Sequence, residues 1–205
     1  MISERVNLVE LSTRERLLRA ARELTEEGGY ATASVVAIAD RAGLGAGTLY
    51  RHFTSKAELL VELFREVCER EVRAAQAASA QQVASAVERL ELILVTFAQR
   101  ALQNPQLAWA LIAEPVDPLV DAERLAYRAH YTHLLAASLR QAITAGEVPE
   151  QNADLTAAAL VGGIGEALVG PLSPLATTRP TTEEIVVALR TFARRAVGAS
   201  SPAEP

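Results

Sequence analysis

The sequence predicts an all-α fold, and three observations carry that prediction. Hydrophobic residues make up 50% of the 205 residues while aromatics make up only 4%, and an alanine- and leucine-rich mixture of this kind favours helix over strand. Apolar residues recur at helical spacing in one segment after another. The breaks between segments fall at glycine and proline, and no strand-like alternation with hairpin turns appears.

Taken in order, residues 1–11 read as a flexible polar arm. Thr13 is placed to cap a first helix running to Glu27, whose apolar side is Leu17, Leu18, Ala21, Leu24 and Thr25. Gly28-Gly29 ends it. Ser34 caps a second helix to about Ala42, Gly43-Leu44-Gly45 makes a tight turn, and a third helix covers Ala46 to Phe53. Ser55 and Glu58 have capping-box spacing at the start of a fourth helix. It runs to about Ala80, with Leu59, Leu60, Leu63, Phe64 and Val67 facing inward. Further helices are expected over 83–103, 105–113, 117–145, 152–170 and 181–198. Their breaks are marked by Asn104-Pro105, Glu114-Pro115, Asp117-Pro118, Gly146 with Pro149, Pro171 to Pro174, and Arg179-Pro180. Residues 199–205 read as a disordered tail.

The second and third of these helices are short and joined by a glycine turn. The third carries Thr48, Tyr50, Arg51 and His52 in one cluster. This is the layout of a helix-turn-helix, which places one helix in the major groove of DNA. The expected organisation is therefore a three-helix DNA-binding domain in residues 1–56 and a helical regulatory domain in residues 57–198. The formal net charge is −5, but residues 1–56 hold eight Arg and Lys against seven Asp and Glu. That part is near neutral and the remainder acidic. A strong nonspecific grip on DNA is not expected, and binding needs a few placed contacts. Cys68 is alone, so no intrachain disulfide can form, which agrees with a cytoplasmic protein. Residues 155–172 are the most apolar stretch, but Glu166 and several glycines interrupt it. A buried helix is the expectation there, not a membrane span.

Residues 13–64 resemble the DNA-binding domain of the tetracycline-repressor (TetR) family of bacterial transcriptional regulators. The residues that carry the resemblance are Ala20-Ala21, Gly28, Gly29-Tyr30, Ser34-Val35, Ile38-Ala39, Ala42-Gly43, Gly47-Thr48-Leu49-Tyr50, His52-Phe53, Ser55-Lys56 and Leu59-Leu60. The resemblance implies Thr48, Tyr50, His52 and Lys56 as DNA contacts. Arg41 and Arg51 are added on charge alone, and Leu49 and Phe53 are expected in the core. Most of these groups position the protein on phosphates and do not read sequence. Gly45 and Ala46 lack the hydrogen-bonding side chains the family often has there, so the start of the recognition helix has little base-reading chemistry.

For the C-terminal half, the resemblance implies an apolar cavity for a small apolar or amphipathic inducer. By residue type, the polar groups suited to it are Trp109, Glu114, Tyr127, His130 and Tyr131. His130 and His133 are three apart on one helix, but no cysteine or close acidic ligand accompanies them, so no metal and no cofactor is expected. The last two helices are apolar and rich in small residues. The resemblance favours their use in a homodimer, through Leu155, Ala159, Gly162, Leu189 and Phe192. The resulting expectation is a homodimeric, ligand-responsive regulator, a repressor released from a palindromic double-stranded operator, with no enzymatic activity and no membrane partner. The rival is an all-helical small-molecule-binding or enzymatic protein without DNA binding. No nucleophile motif supports the enzymatic form of it.

Overall fold

A computed structural model describes residues 11–199 of the chain. The expected arm, up to residue 10, and the expected tail, from residue 200, lie outside the described residues. Among the described residues the chain forms nine α-helices and no strand: α1 (Thr13–Gly28), α2 (Val35–Arg41), α3 (Leu49–His52, entered through a 3-10 turn at Ala46–Thr48), α4 (Lys56–Ser79), α5 (Ala86–Gln103), α6 (Pro105–Ile112), α7 (Pro118–Thr144), α8 (Ala153–Leu172) and α9 (Thr182–Val197).

The helix starts follow from caps that free backbone amides require. The cap of α1 is Ser12 and not Thr13. Its hydroxyl accepts from the Glu15 N–H at 3.3 Å, and the Glu15 carboxylate accepts from the Ser12 N–H at 2.8 Å. Glu15 stands three residues after Ser12, so only Ser12 can complete that reciprocal pair. Ser34 caps α2 through the Ala37 N–H at 3.1 Å. Ser55 accepts from the Glu58 N–H at 3.1 Å, but the Glu58 carboxylate turns to the N–H and hydroxyl of Thr54, one residue outside the expected box. α5 begins at Ala86, later than expected, because Ser85 caps it through the Glu88 N–H at 3.0 Å. α8 runs through Pro171 to Leu172, and the Ser173 N–H closes it on the Val169 and Gly170 carbonyls.

Two cores form. The N-terminal core packs Leu17, Leu24, Ile38, Leu49, Phe53, Leu59, Leu63 and Phe64. It continues along α4 to Cys68 and takes in Leu107, Ala110 and Val120 from α6 and α7. A division at residue 56 therefore cuts through one packed unit. The second core joins Leu90, Ile93, Leu94, Leu135, Leu139, Leu160, Ile164 and Leu189 from α5, α7, α8 and α9. α4 serves both cores, since Ala75 near its end belongs to the second.

The expectation of a buried helix over the most apolar stretch needs correction. Only 28% of the most apolar 18-residue window of α8 is buried. One side of α8, with Ala157, Leu160, Ile164 and Leu168, enters the second core, while Leu155 is 69% exposed. Apolar periodicity shows that α8 packs; it does not show on how many sides the protomer itself supplies a cover.

Candidate nucleic-acid interface and inner cavity

The helix-turn-helix is built from a short helix, a glycine turn and a second short helix. Gly43 ends α2 with φ of 66°, the left-handed conformation that side chains resist. Its N–H reaches the Asp40 carbonyl at 3.0 Å, and the Leu44 N–H reaches Ala39 at 2.9 Å. Arg16 of α1 donates to the Ala42 carbonyl at 2.5 Å, fastening the turn to the first helix. Sequence reading missed Arg16, because a lone arginine on an amphipathic helix carries no pattern. Leu49 and Phe53 are buried as expected. The Arg14 guanidinium lies over the Phe53 ring at 4.7 Å and also pairs with Glu62.

The opposite side of α3 faces outward. Tyr50 is 59% exposed, and Arg51 and His52 are exposed beside it. Thr48 is half-buried, and its hydroxyl accepts from Arg51 at 3.1 Å. Lys56 stands in the first turn of α4, half-buried, beside Tyr30 and Glu114. Arg41, added on charge alone, is already engaged by carboxylates. Both arms of its guanidinium are held by Glu27, at 2.7 and 2.8 Å, with Glu23 at 3.6 Å. A phosphate would have to displace two carboxylates to use it.

An apolar cavity lies between α5, α6, α7 and α8. Its interior volume is about 50 Å³, so an occupant larger than a few heavy atoms has to part the walls. Leu94, Phe97, Leu111, Ile112, Val161 and Ile164 supply its oily lining, with Tyr127 and Tyr131 on its α7 wall. The three aromatic rings meet edge to face, at 5.1 Å for Phe97 with Tyr131 and 5.2 Å between the tyrosines. The Tyr127 hydroxyl donates to Tyr131 at 3.4 Å, and Tyr131 donates to the Glu71 carbonyl at 3.3 Å. Burial pushes both phenols well above the ordinary tyrosine range, so they act as neutral hydrogen-bonding groups. Burial likewise pushes the Cys68 thiol up, away from the reactive thiolate.

The other groups expected in the cavity stand elsewhere. Tyr127 and Tyr131, four apart, share the inner face of α7. His130 and His133 fall on its outer side, their Nδ1 atoms 2.9 and 2.8 Å from the Ala126 and Ala129 carbonyls. Trp109 is partly buried against the second core but does not line the cavity. Glu114 faces the other way. Its carboxylate accepts from the Tyr30 N–H at 2.9 Å and the Ala31 N–H at 3.0 Å, in the loop between α1 and α2. Arg124, which sequence reading did not single out, lines the cavity while its guanidinium caps the end of α6.

On α8 and α9, Leu155, Ala159, Gly162 and Phe192 lie on an outward surface, Phe192 being 44% exposed. Leu189 needs correction as an interface residue. It is 5% exposed and sits in the protomer's own core, on the α9 ridge with Ile185, Ala193 and Val197.

The family described as "Bacterial regulatory proteins, tetR family" matches residues 17–63, the packed unit around the glycine turn. The transcriptional repressor KstR of Mycobacterium tuberculosis is 35% identical over 99 residues, 48% of this chain. That alignment spans 44% of KstR, less than half its length. The transcriptional regulator UidR of Escherichia coli K12 is 30% identical over 151 residues, 73% of this chain and 76% of UidR. The chain belongs to the TetR family. These TetR-family relatives are transcriptional regulators, not enzymes. The fold is likewise that of a solved transcriptional regulator. FadR from Bacillus subtilis, crystallised with stearoyl-CoA, superposes with a TM-score of 0.73 at 22% identity, covering 91% of this chain and 99% of FadR.

Proposed function

We propose that this TetR-family chain is a homodimeric transcriptional repressor whose hold on DNA is released by a small apolar or amphipathic ligand in the inner cavity. The observation that carries the reading is the double duty of α6. It contributes Leu111 and Ile112 to the cavity lining and Leu107 and Ala110 to the core of the helix-turn-helix unit. A ligand that moves α6 therefore moves the packing beneath the recognition helix. Thr48, Tyr50, Arg51, His52 and Lys56 are the proposed DNA contacts, supported by their exposure and chemistry. Two copies joined through α8 and α9 would set two recognition helices about one DNA turn apart on a palindrome. The near-neutral DNA-binding unit makes dimerisation and a few placed phosphate contacts the source of affinity. The relative crystallised with stearoyl-CoA supports an apolar chain as one kind of ligand for this fold. The proposed location is the cytoplasm, where the operator and a free thiol both belong.

The ligand acts only through its differential affinity for the two states. The test begins with an operator selected from random DNA by the full-length protein. Molecules that co-purify with the protein are then identified by mass spectrometry and titrated into a mobility-shift assay. The expected result is a loss of operator affinity of about tenfold or more, within the usual range of allosteric coupling. A molecule that occupies the cavity and leaves operator affinity unchanged overturns the coupling.

A further inference from the structure

We propose that the cavity recognises its ligand by an anionic end group, and that Arg124 and Glu114 convert its arrival into release of the α1–α2 loop. This rests on the reading of the cavity as a regulatory site, and adds to it the chemistry of the ligand and the route of the signal.

The anion preference follows from Arg124. The residue is 9% exposed, and it lines the cavity. Its guanidinium is satisfied by main-chain carbonyls: Ala110 at 2.6 Å, Leu111 at 2.9 Å and Glu114 at 2.6 Å. The nearest carboxylate, Asp121, is 3.5 Å away and points mostly into solvent. A buried cation offset mainly by neutral carbonyls attracts any anion that reaches it, since a charged partner is worth more in a low-dielectric site than a carbonyl dipole. One turn further along α7, Arg128 lines the same cavity, is exposed, and makes no ion pair with a described residue. An apolar body in the cavity with a carboxylate or phosphate at its end meets both cations.

The route follows from what Arg124 already holds. Two of its three carbonyl partners, Ala110 and Leu111, lie in the last turn of α6, and the third, Glu114, lies two residues beyond the end of the helix. An anion drawing the guanidinium away uncaps that turn. Glu114, on the far side of the same turn, holds the consecutive N–H groups of Tyr30 and Ala31 with its two oxygens. Tyr30 is itself wedged into the helix-turn-helix core at 4% exposure, with a buried hydroxyl that has no hydrogen-bond partner. The end of α6 is thus clasped from the cavity by Arg124 and clasps the DNA-binding unit through Glu114. Loosening the first clasp frees the second.

The test uses the full-length protein and three ten-carbon probes of equal apolar body: decanoate, decyl phosphate and decanol. Binding is measured by calorimetry, and hydrogen exchange is read at the Tyr30 and Ala31 amides. At least one of the two anions is expected to bind tenfold or more tighter than decanol, and the tighter of the two tells carboxylate from phosphate. The bound anion is expected to speed exchange at Tyr30 and Ala31 about tenfold while leaving Leu17 and Leu24 in α1 protected. Glu114→Gln is expected to show the fast exchange without any probe and to bind the anion as the wild type does. Arg124→Met and Arg128→Gln are each expected to reduce the preference for anion over alcohol. Decanol binding as tightly as the anions overturns the anion assignment and leaves the regulatory cavity standing. Binding of none of the three also overturns the assignment. Anion binding with unchanged exchange at Tyr30 and Ala31, or a Glu114→Gln variant with slow exchange there, overturns the clasp. Release of the operator by a co-purified ligand is read separately, so failure here is distinguishable from failure of the repressor reading.

Discussion

Gly29 shows how much one residue can be asked to do. Its φ is 77°, which strains any L side chain, and a Cβ there would lie 2.5 Å from a Glu114 carboxylate oxygen. Gly29→Ala is expected to lower stability by about 1–3 kcal/mol, the usual range for a residue forced into a disfavoured backbone region. Urea unfolding checks it, and a loss below about half a kcal/mol would mean that the loop relaxes and the clasp is dispensable. The exposed residues of α3 are tested differently, because they carry no core. Tyr50→Ala combined with Lys56→Ala is expected to weaken binding to operator and unrelated DNA alike, since both groups are assigned to phosphates. Removing the lysine is expected to reduce the slope of log affinity against log salt by about one. Unchanged mobility-shift affinity at physiological salt would remove both from the interface.

The helices themselves depend on their first turns. Ser34→Ala removes the cap of the seven-residue α2 and is expected to cost about 1 kcal/mol, measured by thermal or urea unfolding. A helix this short has little reserve, so the loss should also reach operator affinity. The acidic caps give the fold a pH dependence. The hydroxyl and N–H of Ser12 hold the Glu15 carboxyl below the ordinary value of 4.5, those of Thr54 do the same for Glu58, and the N–H and hydroxyl of Thr181 do so for Glu184. A folded-state value below the unfolded one means that the contribution is fully present above about pH 4.5. It is then lost as pH falls through the lower folded values. The melting temperature is therefore expected to hold steady on acidification down to that point and to decline below it. The decline should be shallower in a variant with all three residues changed to glutamine, and equal declines in melts across pH would show that other carboxylates govern it.

At the scale of the whole molecule, α8 and α9 leave an apolar outward surface uncovered in the single protomer. Leu155, Val187 and Phe192 are 69, 57 and 44% exposed there, with small residues between them that would let a second pair of helices approach. Leu155→Glu combined with Phe192→Asp is expected to yield a folded monomer by light scattering at micromolar concentration. Affinity for a palindromic operator should then fall by at least about a hundredfold, as the second recognition helix no longer binds intramolecularly. Affinity for a single half-site should be unchanged. A dimer that survives both charges would move the interface elsewhere.

Most of the helix order was legible in the sequence, because it depends on interactions within one or two turns. Apolar spacing marked the inner faces of α1 and α4, and Ser34, Ser55 and Gly29 marked ends through caps that reach only two to four residues. The helix-turn-helix was legible for the same reason. What the tertiary structure alone decided is where long side chains go once the helices pack. Glu114 was expected in the cavity, yet its partners lie 84 and 83 residues earlier, and no local spacing encodes them. Arg41 was expected on DNA, but the fold brings Glu23 and Glu27 of another helix to it. Leu189 was expected at an interface, but a face is inner or outer only relative to its neighbours. The sequence by itself determined the order of the helices, most of their ends to within a few residues, and the recognition motif, through short-range hydrogen bonds and periodic burial. The domain junction, the cavity wall and the clasp around α6 came only from the packing of distant segments, where partners are chosen by proximity in space.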